Sequence, residues 1–198
     1  MSMTARKHTL ISAADYLAAD NDGQWRHEFV DGAVYAMSGA SARHALICGN
    51  ASLILMNHVP ETCQVFSSDL KLRVKTNETE RYYYSDVFVS CDPSDRETYF
   101  RNNASLIIEV LSPSTERLDR TEKFEAYKRN PALLEYVLLS QDARELELFR
   151  RRADWQREHY VGDSTVTLES INLTLNVADF YRRVGLDDEP TGAAINRT

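Results

Sequence analysis

Between residues 41 and 58 the apolar positions Leu46, Ile47, Leu53, Ile54 and Met56 recur with a helical repeat, and Pro60 follows. The spacing predicts a helix from Ser41 to His58. The period then changes to two. In QVFSSDLKLRV, Leu70, Leu72 and Val74 share one face, and Asp69, Lys71 and Arg73 share the other. RYYYSDVFVSCD reads as a second strand and SLIIEVLS as a third, with turns at 76–78 and 92–94 between them. A helix is expected over Asp119 to Arg129, stopped by Asn130-Pro131. LLEYVLLS is a fourth strand, RELELFRR pairs with it through Gln141-Asp142, and WQREHYVG and TVTLES continue the pattern. A short helix over Val177 to Val184 closes the chain. Near the start, Ser12 caps a helix from Ala13 to Ala19 that Asn21-Asp22-Gly23 ends, and RHEFVDGAVYAMS is a hairpin about Asp31-Gly32.

The order helix, three strands, helix, strand contains one strand–helix–strand crossover, which implies two parallel strands. The expected class is α/β (α+β): a mixed β-sheet flanked by helices, with an N-terminal hairpin and extra C-terminal strands. Residues 1–185 are expected to form one domain, and 186–198 a flexible polar tail.

Composition narrows the partners. The chain has 198 residues, 43% of them hydrophobic, enough to bury a core. Its net charge of −7 disfavours a general nucleic-acid coater, whose affinity rests on neutralising phosphates. No apolar run is long enough to span a membrane. MSMTARKHTLIS lacks the apolar centre of a signal peptide. Cys48, Cys63 and Cys91 are odd in number and widely spaced, which argues against a disulfide framework or zinc site and for a reducing cytoplasm.

Glu109 stands in the middle of an apolar strand, on the face of Ile107 and Leu111. An ionised carboxylate there needs a basic partner, a proton, or a cation shared with a second carboxylate. Asp86, at the start of the preceding strand, is the second carboxylate, and a pair on adjacent strands suits Mg²⁺. Each has a bland alternative: Asp86 as a turn residue, Glu109 as a solvent-facing strand residue. In DRTEKFEAYKR, Asp119, Lys123 and Tyr127 form one helical stripe. Lys123 either reaches the carboxylates or only pairs with Asp119, and the residues leave both open. Asp69 reads as an exposed position rather than a third ligand, and Tyr82 to Tyr84 as core aromatics rather than base-stacking platforms.

These residues resemble a known family. HEFVDGAVYAMSGASARH, YYYSDVFV, LIIEVLSPSTERLDRTEKFEAYKR and LLEYVLLS are similar to the Uma-type restriction-endonuclease-like family of the PD-(D/E)xK nuclease superfamily, over about residues 8–184. The resemblance implies a restriction-endonuclease-like core and hydrolysis of phosphodiester bonds in DNA by a Mg²⁺- or Mn²⁺-dependent endonuclease. It assigns Asp86 and Glu109 to the metal, Lys123 to the superfamily's lysine, Glu28 as an additional acid of the site, and His44 to its lining. The sequence departs from the motif at Ser85, where proline is usual, and at Leu111, where the lysine normally stands. Small nucleases of this fold often pair, so a homodimer is also implied. Arg117, Arg120, Lys128, Arg129 and Arg150–Arg152 could meet a phosphate backbone, with a solvated strand end as the bland reading of the last three. A catalytically degenerate binding or interaction module is the alternative, and RNA or a small phosphoester remain open as substrates.

Overall fold

The structure, a computed structural model, describes residues 10–20, 26–37 and 39–186. Ser12 Oγ accepts from the Asp15 amide and opens α1 (Ala13–Asp20). The expected helix stop at 21–23, and the expected tail beyond Leu186, lie outside the described residues. β1 (His27–Val30) and β2 (Ala33–Ala36) form the hairpin. Asp31 and Gly32 both take positive φ, 49° and 97°. That is the geometry a two-residue hairpin turn needs, and Asp-Gly adopts it at low cost. Ser41 caps α2 (Ala42–Met56) by accepting from the His44 amide.

Two predicted strands are each divided. QVFSSDLKLRV becomes β3 (Gln64–Ser67) and β4 (Lys71–Lys75), and RYYYSDVFVSCD becomes β5 (Glu80–Tyr83) and β6 (Val87–Ser90). The break at residues 84–86 passes the chain from one sheet to the other, as does the turn at 68–70. The change of sheet is set by pairing partners from distant segments, which the sequence pattern does not reveal. Lys71, expected on a polar face, is buried and lies 2.5 Å from Asp20.

β7 (Phe100–Arg101), not expected, runs parallel to β4 and completes a five-stranded sheet of order β2-β1-β5-β4-β7. The second sheet has six strands. β8 (Leu106–Leu111) is parallel to β9 (Glu135–Ser140), and β10 (Glu145–Arg150) and β11 (Arg157–Val161) extend it, in the order β11-β10-β9-β8-β6-β3. β12 (Thr165–Leu168) and β13 (Leu173–Asn176) form a separate hairpin, followed by a 3-10 turn at Val177–Tyr181.

The six-stranded sheet is covered on both faces. Leu106, Ile108 and Val110 of β8 pack with Val87, Val89 and Val137 against Ile47, Ala51 and Leu55 of α2. Ile107 and Leu111 pack with Phe88, Tyr136 and Leu138 against Ala126 and Tyr127 and against Leu72 and Tyr83 of the other sheet. Burial on both sides is why SLIIEVLS reads as a nearly continuous apolar run. The crossover between β8 and β9 is helical over 116–127, starting at Glu116 rather than Asp119. We call this segment α3. Its middle, Asp119–Lys123, is a π-turn, and the buried Tyr136 hydroxyl donates to the Asp119 carbonyl at 2.9 Å, inside this interrupted ladder.

The cysteine expectation fails. Cys63 and Cys91 form a disulfide. Gln64 pairs with Ser90 across β3 and β6, so the next residues outward, Cys63 and Cys91, fall opposite each other. Spacing in the sequence carries no trace of that register. Among the described residues, no helix is long and apolar enough to cross a membrane.

Candidate functional site

The site lies where β5 hands over to β6. Val87 pairs with Ile108, so Asp86, one residue earlier, stands beside Glu109. The Asp86 amide donates to Glu109 Oε2 at 3.1 Å, and Asp86 Oδ2 accepts from the Val110 amide at 2.7 Å. Glu109 is thus tied to the Asp86 backbone, and Asp86 to the backbone of the residue after Glu109. Glu109 is 1% exposed; Asp86 keeps partial access to solvent.

Three further elements converge on this pair. From α3, Lys123 Nζ lies 3.5 Å from Glu109 Oε1, 3.4 Å from Glu28 Oε1 and 3.3 Å from Asp119 Oδ1. Lys123 therefore does more than pair with Asp119 across one turn: it also lies beside the Glu28 and Glu109 carboxylates. Tyr127, the last member of the stripe, donates to Glu109 Oε1 at 3.0 Å and meets the Ser85 hydroxyl at 2.9 Å. Ser85, at the position where the motif has proline, is fully buried and holds that tyrosine. From β1, Glu28 accepts the Tyr84 amide at 3.1 Å. From α2, on the opposite face of the sheet, His44 Nε2 lies 3.2 Å from Asp86 Oδ2.

The electrostatics follow from four acids around one buried lysine. Burial raises Glu109 well above the ordinary carboxylate range, against the opposing pull of Lys123, and Asp86 and Asp119 push the same way. Burial likewise raises Glu28 and Asp119. Burial would lower Lys123, but Glu109, Glu28 and Asp119 outweigh it, and the ammonium is held well above its usual value. Burial would also lower His44, but its hydrogen bond to Asp86 and that residue's charge leave it raised. Asp119 Oδ1 is buried without a well-formed hydrogen bond, although Lys123 Nζ lies 3.3 Å away. One ammonium does not compensate this many carboxylates, so the excess is relieved by protons or by a cation. Asp86 and Glu109 offer oxygen donors only, the set that hard divalent cations such as Mg²⁺ and Mn²⁺ prefer.

The sequence-predicted residues Glu28, His44, Asp86, Glu109 and Lys123 thus come together. Asp119, Tyr127 and Ser85 join them in a way the sequence reading did not assign; the stripe of Asp119, Lys123 and Tyr127 was the available signal. Asp69 is exposed and pairs with Arg26 at 2.8 Å, away from the cluster. Tyr82, Tyr83 and Tyr84 are all buried, as expected of core aromatics.

Most of the expected basic rim is committed elsewhere. Arg120 pairs with Glu116 and Glu147, and Lys128 with Glu125. Arg150 is buried against Glu135 and Glu169, Arg151 donates to the carbonyls of Lys128, Asn130 and Leu133, and Arg152 pairs with Glu169. Arg150 and Arg151 thus clamp β10 to the segments on either side, whereas Arg152 stays exposed beside Glu169, as a solvated strand end would. Arg117 and Arg129 are exposed. A cavity of about 220 Å³ beyond the ends of β8 and β9 is lined by Glu116, Asp142, Glu145 and Glu147 with Arg120, which repels rather than gathers phosphate.

The fold is of the mixed α+β class, with sheets flanked by helices. A crystal structure of a putative nuclease belonging to DUF820 from Anabaena variabilis matches with a TM-score of 0.65 over 80% of this chain and 90% of that one, at 16% identity. The family model Uma2, described as "Putative restriction endonuclease", matches residues 13–178, and the chain belongs to that family. Two proteins of Synechocystis sp. are similar in sequence. The uncharacterized protein slr1290 is 38% identical over 87% of this chain and 92% of its own length. The uncharacterized protein sll1609 is 32% identical over 74% and 84%.

Proposed function

We propose that the protein is a divalent-metal-dependent endonuclease that hydrolyses phosphodiester bonds in DNA. The observation that carries this reading is the mutual locking of Asp86 and Glu109 beside Lys123. Asp86 and Glu109 would hold Mg²⁺ or Mn²⁺. Such an ion supplies Lewis-acid stabilisation of the phosphoryl oxygen and lowers the pKa of bound water. Lys123 places a fixed positive charge in a largely dehydrated pocket, where it stabilises negative charge developing on the scissile group. Glu28, held by the Tyr84 amide, helps orient the Lys123 ammonium and can accept a proton from water. Tyr127 and Ser85 fix the Glu109 carboxylate so that little reorganisation accompanies the reaction. The family description agrees with this class of activity.

Purified protein with Mn²⁺ or Mg²⁺ should nick supercoiled DNA, and Asp86→Asn and Glu109→Gln should each abolish nicking while circular dichroism stays unchanged. Cleavage surviving in either folded variant would remove the reading.

A second reading, a catalytically silent binding module, draws on one observation. Lys123 already sits among three carboxylates as a built-in cation, and Leu111, at the usual lysine position, is core. Under it, no divalent ion binds, and Lys123→Ala affects stability alone.

A further inference from the structure

His44 and Cys48 are one turn apart on α2 and project on the same side. Cys48 Sγ lies 3.4 Å from His44 Nδ1, and His44 Nε2 lies 3.2 Å from Asp86 Oδ2. One ligand atom from each of the three residues can be chosen so that all lie within 4.8 Å of one another. We infer that His44, Cys48 and Asp86 form a second metal site, for a thiophilic cation such as Zn²⁺, on the α2 side of the sheet.

The ligand chemistry differs from that of the Asp86–Glu109 pair. Zn–S and Zn–N bonds of about 2.3 and 2.05 Å at a tetrahedral angle put sulfur and nitrogen roughly 3.5 Å apart. The observed Cys48–His44 separation already has that value. Asp86 supplies the third ligand; its short contact is to the other ring nitrogen, Nε2, so an ion held through Nδ1 breaks that hydrogen bond and draws the carboxylate inward by up to about 1.3 Å from the widest allowed separation, 4.8 Å. All three residues are partly exposed, which leaves a path for the ion and a fourth position for water. Nitrogen and sulfur donors select zinc-like cations over Mg²⁺. The thiol proton leaves to solvent when the ion binds.

A structural role for Cys48 as a small apolar filler does not account for its place. Its sulfur faces an imidazole instead of the aliphatic core alone, and that imidazole is already turned to a carboxylate. A nucleophilic thiol is excluded on other grounds: burial, with Asp86 and Glu109 close by, pushes the Cys48 thiol far up, so it holds its proton in the metal-free protein. Cys63 and Cys91 are joined to each other, so Cys48 is the free thiol.

The two sites share Asp86. This consequence rests on the nuclease reading: a zinc-like ion drawn toward α2 competes for the carboxylate that the hard ion needs, and so inhibits cleavage. The binding itself does not depend on that reading.

The test is a titration of the metal-free full-length protein with Co²⁺, followed by absorption. A near-ultraviolet thiolate-to-cobalt band should grow and saturate. Cys48→Ser should abolish the band and His44→Ala should weaken binding by more than about tenfold, while Glu109→Gln keeps the band. Unchanged thermal melting of Cys48→Ser serves as the folding control. No band in the wild type, or an equal band in Cys48→Ser, overturns the proposal. In a parallel nicking assay, Zn²⁺ should inhibit the wild type at concentrations that leave Cys48→Ser active. Equal inhibition of both would overturn the competition. Absent cleavage in both would count against the nuclease reading and leave the cobalt result standing.

Discussion

The Asp86 amide donates to the Glu109 carboxylate while the Asp86 carboxylate accepts from Val110, the residue after Glu109. This reciprocal pair is the geometric centre of the site. Each acid fixes the other through backbone groups, so the pair is preorganised before any ligand arrives. It also concentrates negative charge where burial makes charge costly, which gives the site a distinctive response to pH and to cations.

Burial raises Glu28, Glu109 and Asp119 above their ordinary values. A group raised in the folded state stabilises the fold below its unfolded pKa, and that contribution is lost as pH rises through the folded value. The metal-free protein should therefore lose melting temperature as pH climbs from about 4.5. Mn²⁺ or Mg²⁺ should restore it, more strongly at high pH than at low, because the ion replaces the protons. Scanning calorimetry across that range with and without the ion checks the sign. An ion effect that grows toward acid pH would contradict it.

Lys123→Met removes the one ammonium among Glu28, Glu109 and Asp119. Breaking a buried ion pair from one side costs about 3–5 kcal/mol. Urea denaturation near neutral pH should show a loss of that order, shrinking toward acid pH as the carboxylates take protons. Divalent-ion affinity should hold or rise, since a competing cation is gone, yet cleavage should disappear. Lost cleavage together with lost ion binding would recast Lys123 as a scaffold for the carboxylates.

Tyr127→Phe deletes the donor to Glu109 and the partner of Ser85. A hydrogen bond contributes about 0.5–1.5 kcal/mol between neutral groups and about 1.5–3 kcal/mol to a charged one, so a destabilisation that grows as Glu109 ionises is expected with little change of fold. The rate of cleavage should fall, because Glu109 is less firmly held. A variant as stable and as fast as the wild type would show that the contact carries no weight.

The Cys63–Cys91 disulfide closes a separation of 28 residues. Loop-closure entropy assigns such a crosslink roughly 3–4 kcal/mol. Cys63→Ser should lower stability by about that amount and leave ion binding at Asp86 and Glu109 intact, since neither cysteine touches the cluster. Non-reducing peptide mapping identifies the bond directly.

Much of the site could be read from the chain because its residues sit on regular elements. Glu109 interrupts an apolar strand, and Lys123 falls one helical turn from Asp119, so period alone brings them into view. The Asp31-Gly32 turn and the Ser41 cap were legible for the same reason: their chemistry is local. What escaped is non-local. The breaks at 68–70 and 84–86 change sheets, and which sheet each strand joins depends on distant partners. The opposition of Cys63 and Cys91 depends on strand register. The π-turn at Asp119–Lys123 lies within an ordinary helical sequence pattern, and Glu147 beside Arg120 and the acids beside Arg150 come from distant segments. His44 and Cys48 lie one turn apart on the expected helix, but the Asp86 that completes their group comes from another segment.

Anomalous diffraction from crystals soaked in Mn²⁺ tests the central claim most directly. A manganese peak within coordination distance of both Asp86 and Glu109, absent in Glu109→Gln crystals grown the same way, is the predicted result. A peak that touches neither carboxylate, or an empty site at saturating Mn²⁺ with Lys123 still seated between the acids, would contradict it.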